Sequence, residues 1–414
     1  MAFNAANEVA IVGIGRTQMS RRGDRAIGAL AVEASLKAIE DAGITLRDID
    51  GLSTYPESTG PGVGPTPGVS SSNLQWMVQG LGVEQINWWS NGGGNISTAI
   101  GTAAMAIATG MCNYVLVWRS MYQPRSGAFG SGTRGSSGGS APAAAPRAGG
   151  ANAYQAPYGM GDAPTHFAAA YMRYMKMYGA RREHMAAYAL SCRANANKNP
   201  YSMFYDQPMT FDDYMNCRMI ADPLCLFDCD MPVDGAAAIV LTSADRAKNG
   251  PKAPAYITAL GSGGFNWKNR PPEEWQNDTA RNLSRTLWAS TYMTAKDMDG
   301  AQFYDGFSPD IYWWLEEMNF CGRGEAFEYI QNGRISLDGG EFPINTFGGQ
   351  VSEGRLHGIA HWYEGVTQIR HEADDKPGDG ARNIKHNGRL AENVLVCTGM
   401  LGHGVGVILS DEPR

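Results

Sequence analysis

The stretch Asn345-Thr-Phe-Gly-Gly-Gln-Val-Ser-Glu-Gly-Arg-Leu-His-Gly358 says most about the fold of this 414-residue chain. Four of its fourteen residues are glycines, which adopt backbone conformations that other residues avoid. The stretch therefore predicts a tight loop, and a helical pattern follows it from about Arg355 to Arg370. Backbone N–H groups at a helix start favour negative charge, so the loop is a candidate anion-binding element.

An internal repeat extends this reading to the whole chain. Four short patterns occur in the same order in both halves: 8–15 and 255–263, 48–52 and 297–301, 91–93 and 348–349, and 113–117 and 393–396. Each half reads strand, helix, strand, loop, helix, strand. That order predicts two similar α/β halves whose glycine loops meet at a shared centre.

The repeat also divides the chain into regions. Residues 1–122 and 223–250 are predicted to form the N-terminal half, and 251–414 the C-terminal half. Residues 123–222 are an insertion, which is rich in Gly, Ser, Ala and Pro up to about 152 and is interpreted there as a lid. The insertion then becomes helical, with Thr210 predicted to cap a helix over 211–220. An aromatic and methionine stripe at helical spacing is predicted to be core: Tyr171, Tyr174, Met175 and Tyr178.

Composition excludes several classes of function. The formal charge of −7, the pI near 5.6 and the lack of basic runs argue against nucleic acid and acidic membranes as partners. No apolar stretch approaches membrane-spanning length and the start lacks a signal-peptide pattern, so a cytoplasmic location is expected. Seven cysteines are too few for a disulfide scaffold. Cys225 and Cys229 lack a second ligand pair, so no metal is expected.

The loop 345–358 resembles the Asn-x-x-Gly-Gly-x-x-x-x-Gly-His-Pro-x-Gly loop of thiolases, with Arg355 at the histidine position. Asp234-Gly-Ala-Ala-Ala238 resembles the start of the last strand of a thiolase's first half. Tyr304-Asp-Gly-Phe-Ser308 stands where thiolases have Asn-Glu-Ala-Phe. Cys397-Thr-Gly-Met-Leu-Gly-His-Gly404 resembles the terminal Cys-x-Gly-Gly-Gly-x-Gly with one residue inserted. The resemblance implies a thiolase-like α/β fold, in which two repeated halves form a layered α-β-α-β-α core with a loop and helix insertion.

The nucleophile position of the thiolases is occupied here by glycine. Their nucleophile opens the motif Cys-x-Ser-Gly-x-x-Ala before a helix of small residues, and aligning on Ala99 puts Gly93 in its place. The first cysteine of the chain is Cys112, at the far end of that helical pattern. Covalent acyl-enzyme chemistry needs a low-pKa thiolate at a helix N-terminus, so ordinary thiolase catalysis is disfavoured.

Within the thiolases, the chain is most similar to the thiolase-like lipid-transfer group. This group resembles sterol carrier protein X thiolases and especially bacterial steroid side-chain-cleaving aldolases, which lack the nucleophilic cysteine and carry two tyrosines in the site. Tyr304 matches the first tyrosine, and Arg355 departs from the second. The resemblance implies retro-aldol cleavage of a β-hydroxyacyl-CoA to a ketone and a short acyl-CoA. It favours a steroid side chain as the acyl group, and an aromatic or terpenoid acyl group would fit as well. It implies no cofactor, because CoA belongs to the substrate.

Candidate roles follow from this resemblance. Tyr304 is the candidate base, and Arg355 would lower the pKa of its phenol and stabilise phenolate or enolate. Cys397 would protonate the enolate carbon, and His357 is a further catalytic candidate. Backbone N–H groups of the glycine loops would hold the thioester oxygen. The predicted oxyanion and substrate loops contain Gly93, Gly94, Asn95, Gly348, Gly349, Gly402 and His403.

The resemblance also implies partners. The aldolases work with a small subunit that has an OB fold and often a zinc ribbon and helps to bind CoA, and thiolases dimerise through their central sheets. We therefore expect a homodimer flanked by two partners, with the insertion 123–222 binding acyl-CoA and partner. Two other functions stay open. One is a thiolase-type acyltransferase with another nucleophile, such as Cys397, and the other is a non-catalytic acyl-CoA or lipid-binding protein.

Overall fold

The computed structural model describes residues 5–21, 23–55, 71–92, 95–123, 156–160, 163–264, 275–374, 376, 378–386, 388–399 and 403–414. The strands are β1 (Val9–Arg16), β2 (Gly51–Thr54), β3 (Trp88–Asn91), β4 (Tyr114–Met121), β5 (Met219–Ala221), β6 (Leu224–Cys225), β7 (Gly235–Ser243), β8 (Ala255–Gly264), β9 (Gly300–Phe303), β10 (Lys385–His386), β11 (Arg389–Leu390), β12 (Asn393–Thr398) and β13 (His403–Ser410). The helices are α1 (Ile27–Asp41), α2 (Leu74–Leu81), α3 (Ile96–Ala108), α4 (Ala163–Tyr178), α5 (Arg182–Asn197), α6 (Phe211–Met215), α7 (Ala244–Ala247), α8 (Trp275–Trp288), α9 (Asp310–Glu317), α10 (Ala326–Tyr329), α11 (Gly349–Ser352) and α12 (Ile359–Ile369).

Nine of the described strands form one mixed sheet in the order β3-β2-β4-β7-β1-β8-β13-β12-β9. Its two halves correspond about the central antiparallel pair β1 and β8. On one side β2 and β4 are parallel and β4, β7 and β1 antiparallel. On the other side β9 and β12 are parallel and β12, β13 and β8 antiparallel. Four strands of each half therefore correspond, which confirms the predicted repeat, and β3 is an additional strand at the edge of the first half.

The repeated sequence patterns form equivalent hydrogen bonds in both halves. Asp50 accepts a hydrogen bond from the backbone N of Asn113 at 2.8 Å, which ties the start of β2 to the start of β4. In the second half Asp299 accepts one from the backbone N of Asn393 at 3.0 Å, at the starts of β9 and β12. A 3₁₀ turn with the same capping box precedes each aspartate: Thr45 with Asp48, and Thr294 with Asp297. Local sequence thus sets the strand pairing twice.

Helices pack on both outer faces and between the two halves of the sheet. Helix α1 covers the outer face of β1, β4 and β7, and α8 covers the outer face of β8 and β13. Helices α3 and α12 contact strands of both halves and share one apolar core with their inner faces. The layers therefore run α-β-α-β-α, as the resemblance to thiolases implies. This arrangement places the starts of α3 and α12 at the centre of the molecule.

The helix predicted from about Arg355 begins later, at Ile359, and a single turn over Gly349–Ser352 precedes it. The prediction was wrong here because three residues adopt positive φ: Gly354 at 149°, His357 at 47° and Gly358 at 97°. Positive φ is incompatible with a right-handed helix. The segment between the two helices is instead an extended loop that presents Arg355 and His357.

The insertion forms helices α4 to α6, and Thr210 caps α6 by accepting a hydrogen bond from the backbone N of Asp213 at 3.1 Å. This helix ends at Met215, earlier than the predicted residue 220. Tyr171 and Tyr174 are buried in the outer core of the second half, which confirms the predicted core stripe. From residue 124 onward the predicted lid lies outside the described residues, and the region boundaries stay predictions. None of the described helices has the length and apolar character needed to cross a membrane.

Candidate active site

Three chain segments meet where the two halves join: the end of β9, the residues before β7, and the glycine loop. Their backbones are hydrogen bonded to one another. Asp230 N donates to Gly306 O at 3.1 Å, Met231 N donates to Gln350 O at 2.8 Å, and Arg355 N donates to Met231 O at 2.7 Å. These bonds bring side chains from distant parts of the sequence into one cluster.

Tyr304 follows β9 and is held through its backbone. Its N–H donates to the carbonyl of Cys397 at 2.9 Å, and its own carbonyl accepts from Trp314 Nε1 at 3.0 Å. The phenol ring stacks on His361 of α12, with 5.9 Å between ring centroids. The orientation of Tyr304 is thus set by the ends of two strands and by the central helix layer.

The phenol of Tyr304 is held in its protonated form. Burial, with the nearby charge of Asp230, raises the pKa of Tyr304 above its usual value of 10. Gln350 and Arg355 lower this pKa but do not offset the burial. Arg355 thus acts on the pKa of Tyr304 in the expected direction, but burial has the larger effect, and the role of Tyr304 as a base stays a prediction.

A carboxylate that was not predicted from the sequence lies beside Arg355. Asp230 is 6 % exposed, and its Oδ2 lies 3.6 Å from Arg355 Nη1. Burial raises the pKa of Asp230 to about 6; the charge of Asp305 adds to this, and Arg355 opposes it. Asp230 Oδ1 is buried without a hydrogen-bond partner among the described residues. A carboxyl group with a pKa this close to neutral can accept and return a proton.

His357 contacts Arg119, a second residue that was not predicted from the sequence. Arg119 of β4 is fully buried, and its Nη2 lies 2.8 Å from His357 Nδ1. Burial lowers the pKa of His357 well below its usual 6.5, and the charges of Arg119 and Arg355 lower it further. Burial also lowers the pKa of Arg119, to about 9, so its guanidinium stays charged at neutral pH. The pair joins the first half of the molecule to the second.

Cys397 takes a different place from the other predicted catalytic residues. The next residue of β12, Thr398, accepts a hydrogen bond from Trp362 Nε1 at 2.9 Å in the central layer. Because side chains alternate along a strand, Cys397 points to the opposite face, where it belongs to the outer core with Leu283. Burial raises the pKa of its thiol well above 9. Its role as proton donor stays a prediction.

The Gly348–Gly349 turn is built around Asp305. Gly348 N donates to Asn345 O at 2.9 Å and Gln350 N donates to Asp305 Oδ1 at 2.9 Å, so both amides bind groups of the protein itself. Tyr188 of α5 donates to Asp305 Oδ2 at 2.7 Å, which links the insertion to the loop. The turn thus shapes the loop, and its part in holding an oxyanion stays a prediction.

The other glycine loop is described in part. Asn95 caps α3 by accepting a hydrogen bond from Thr98 N at 3.0 Å, so its amide oxygen orients the helix start. Gly93, Gly94 and Gly402 lie outside the described residues. His403 begins β13, and its side chain also lies outside them. Their predicted roles stay predictions.

Replacing Gly349 with alanine is expected to lower the free energy of unfolding by about 2–5 kcal/mol, since strain and overpacking add. Its φ is +63°, and a Cβ there would lie 2.1 Å from Asp305 Oδ2. The matched control is Gly82→Ala, with φ +71° and no atom within 4 Å of the added Cβ, which is expected to cost about 1–2 kcal/mol. Urea unfolding of both variants measures the difference. Equal losses would contradict the close approach of Asp305.

Known proteins are similar to this chain in both fold and sequence. Residues 270–390 match the family described as thiolase C-terminal domain-like. The chain is 34 % identical over 374 residues to the 17-hydroxy-3-oxo-4-pregnene-20-carboxyl-CoA lyase of Mycobacterium tuberculosis, covering 88 % of this chain and 92 % of that protein. It is 33 % identical over 410 residues to the steroid side-chain-cleaving aldolase of Thermomonospora curvata, covering 97 % of each.

Among solved structures, the Ltp2-ChsH2(DUF35) aldolase is similar over 100 % of both chains, with a TM-score of 0.83 and 31 % identity. The two sequence relatives also align over nearly their whole length, so the similarity covers both halves and the insertion together. The chain therefore belongs to the thiolase superfamily, in its thiolase-like lipid-transfer group, together with the bacterial steroid side-chain-cleaving aldolases that it resembles.

Proposed function

We propose that the protein cleaves a carbon–carbon bond of a β-hydroxyacyl-CoA by a retro-aldol reaction. The observation that carries this proposal is the cluster of Tyr304, Arg355 and Asp230, which combines a phenol, a fixed cation and a carboxyl group with a pKa of about 6. Similar proteins are named as a lyase of a hydroxylated steroid carboxyl-CoA and as a steroid side-chain-cleaving aldolase. We therefore propose a steroid side chain as the acyl group.

The reaction moves one proton off the substrate and later returns one. The β-hydroxyl loses its proton, the bond between the α and β carbons breaks, and the hydroxyl carbon becomes a ketone. The electron pair of the broken bond forms the enolate of a short acyl-CoA, which is then protonated at its α carbon. No free CoA is consumed, and no cofactor beyond the CoA of the substrate is needed.

The side chains of the cluster divide these tasks. Tyr304 accepts the hydroxyl proton while its own phenol proton passes to Asp230, whose charge acts on the phenol, so that no free phenolate forms. Protonated Asp230 then returns its proton through Tyr304 to the α carbon of the enolate, which restores both groups. This order suits the raised pKa of Tyr304 and the pKa of Asp230 near 6. Arg355 remains protonated and stabilises the negative charge that develops on the enolate.

We propose that the reaction proceeds without a nucleophilic cysteine. Burial raises the pKa of six of the seven cysteine thiols. Cys112 lies beyond the C-terminal end of α3, opposite the end that Asn95 caps, and burial raises its pKa to about 12. A thiol with such a raised pKa is a poor nucleophile. These observations favour lyase over acyltransferase chemistry.

The function is tested by mass spectrometry of products formed from a steroid β-hydroxyacyl-CoA. The protein is assayed alone and after coexpression with a small OB-fold partner, without added CoA. We expect a steroid ketone and a short acyl-CoA in equal amounts. Acyl transfer to free CoA from the β-keto analogue, with no cleavage of the β-hydroxy substrate, would instead identify a thiolase.

The pH dependence of cleavage is expected to report Asp230. Only the ionised carboxylate accepts a proton, so kcat/KM should increase as the pH rises through about 6, where Asp230 deprotonates. Asp230→Asn should lower kcat and remove this increase. Glu317→Gln, at an ion pair with Arg281 outside the cluster, serves as the control and should keep it. An unchanged pH profile in Asp230→Asn would exclude Asp230 as the proton acceptor.

We also propose a homodimer formed through β3, the strand at one edge of the sheet. An edge strand offers unpaired backbone groups, and Trp89 of β3 is 65 % exposed. Trp89→Lys is expected to convert the dimer to a monomer in analytical ultracentrifugation. Tyr292→Lys is the control, because Tyr292 is more exposed and lies between α8 and β9, the strand at the opposite edge of the sheet. A dimer that persists in Trp89→Lys would contradict the β3 interface.

A partner subunit is proposed on separate grounds. The solved structure that the chain resembles is named for two components, Ltp2 and ChsH2(DUF35). By analogy, we propose that a small OB-fold subunit, with or without a zinc ribbon, binds beside the insertion and helps to hold CoA. The product assay with and without the coexpressed partner measures its contribution.

A further inference from the structure

The contact between Arg119 and His357 fixes the protonation state of the imidazole. Arg119 Nη2 lies 2.8 Å from His357 Nδ1. A guanidinium has only N–H donors and stays protonated at neutral pH, so Nδ1 must accept this hydrogen bond. An accepting Nδ1 carries a lone pair. The imidazole is therefore neutral, and its single proton is on Nε2.

The surrounding charges stabilise this state. His357 faces the cation of Arg119 from β4 and that of Arg355 from its own loop, and both lower its pKa. Asp230, the carboxylate of the cluster, is paired with Arg355, and Tyr304 and Tyr55 act on Arg119. A second proton on the ring would place a third cation among these groups. The imidazole therefore stays neutral even at pH values below the ordinary pKa of histidine.

The backbone fixes the direction of the ring. His357 has a φ of 47° and lies between Leu356, which is fully buried, and Gly358, which packs against Ile96 and Thr398. Gly358 in turn caps α12. With the backbone and Nδ1 both held, the ring has little freedom to turn, and it stays partly exposed in the cluster that contains Arg355.

We propose that His357 donates a hydrogen bond from Nε2 to the thioester oxygen of the substrate, and that Arg119 is the positioning residue that fixes this tautomer. The proposal rests on the proposed function, because the thioester oxygen gains negative charge as the enolate forms. A neutral N–H donor contributes most when that charge develops. Arg119 also polarises the imidazole from behind, which strengthens the Nε2–H donor.

The tautomer is tested on the wild-type protein by NMR with ¹⁵N-labelled histidine. One of the seven histidines should keep a proton on Nε2 and an unprotonated Nδ1 down to about pH 5, and His357→Gln should remove that signal. In Arg119→Gln the pKa of the same ring should rise relative to the wild type, because one of its two neighbouring cations is removed while burial and Arg355 remain. A wild-type His357 that titrates normally, or carries its proton on Nδ1, would overturn the proposal. This measurement needs no activity.

The donor role is tested by kinetics on matched variants. His357→Gln keeps an N–H donor near the position of Nε2, whereas His357→Leu keeps similar volume without a donor, and both side chains meet the same positive φ. We expect kcat to fall about 10²–10³-fold in His357→Leu and less than tenfold in His357→Gln, with KM little changed. Equal losses would overturn the donor role.

Failure of the proposed function can be distinguished from failure of the proposed role of His357. If no steroid β-hydroxyacyl-CoA is cleaved, the wild-type NMR spectrum still reports the tautomer. A CoA thioester without the β-hydroxyl group should then shift the Nε2–H signal on binding. Binding without such a shift would contradict the contact between His357 and the thioester oxygen whatever reaction the enzyme performs.

Discussion

Replacing Tyr304 with phenylalanine is expected to lower kcat for carbon–carbon cleavage by about 10²–10⁴, the range for losing one acid–base group. The variant removes only the phenol oxygen, which in our proposal takes the proton from the β-hydroxyl. The ring that stacks on His361 at 5.9 Å is kept. The backbone bonds to Cys397 and Trp314 are also kept, so the fold should be unchanged.

The matched control for this variant is Tyr329→Phe. Tyr329 ends α10, is partly buried and packs beside Arg334 rather than Asp230. Its replacement should leave kcat within about twofold. Steady-state kinetics on a steroid β-hydroxyacyl-CoA, with thermal unfolding of each variant, separates lost chemistry from lost stability. Full activity in Tyr304→Phe would remove this residue from the mechanism and leave Asp230 to accept the proton directly.

Replacing Arg16 with methionine is expected to lower the free energy of unfolding by about 3–5 kcal/mol. Arg16 ends β1 and is 3 % exposed, and its Nη1 lies 2.7 Å from Oε1 of the fully buried Glu353. Among the described residues, removing the cation leaves the buried Glu353 carboxylate with only the amide of Asn199, at 2.8 Å, as a side-chain hydrogen-bond donor. Because Glu353 belongs to the glycine loop, the loss should also loosen the segment that carries Arg355.

Two further variants separate this effect from a general effect of charge. Asp245→Asn breaks an exposed ion pair with Lys248 and should leave the unfolding midpoint unchanged. The double variant with Arg16→Met and Glu353→Leu replaces both charges by apolar groups, and should be more stable than Arg16→Met alone. Urea unfolding at neutral pH measures all three. If Arg16→Met were as stable as the surface control Asp245→Asn, the buried pair of Arg16 and Glu353 would not stabilise the loop.

Local sequence patterns were sufficient for most of the fold. The capping boxes at Thr45 and Thr294, and the aspartates two residues beyond each box, act over short distances and recur in both halves. The repeated patterns predicted two similar halves, and the sheet pairs the repeated strands equivalently in both. The start of α12 was predicted too early because positive φ at Gly354, His357 and Gly358 depends on the packing of the loop.

The candidate site was only partly visible in the sequence. Tyr304, Arg355 and His357 stand within motifs, and the structure brings them together. Asp230 and Arg119 have no local signature, since one acid before a strand and one arginine within a strand are common surface residues. Their roles depend on partners that are distant in sequence: Arg119 and His357 are 238 residues apart.

The sequence by itself determined the repeated halves, the order of their strands and the motif positions of Tyr304, Arg355 and His357, because strand, turn and capping signals act between near neighbours. Only the tertiary structure decided the ionisation of these groups. The pKa of Tyr304 rises although Arg355 is near, and the pKa of Asp230 rises to about 6, because burial removes the solvation that stabilises their charged forms. Burial is a property of the assembled layers and is encoded in no single stretch of the chain.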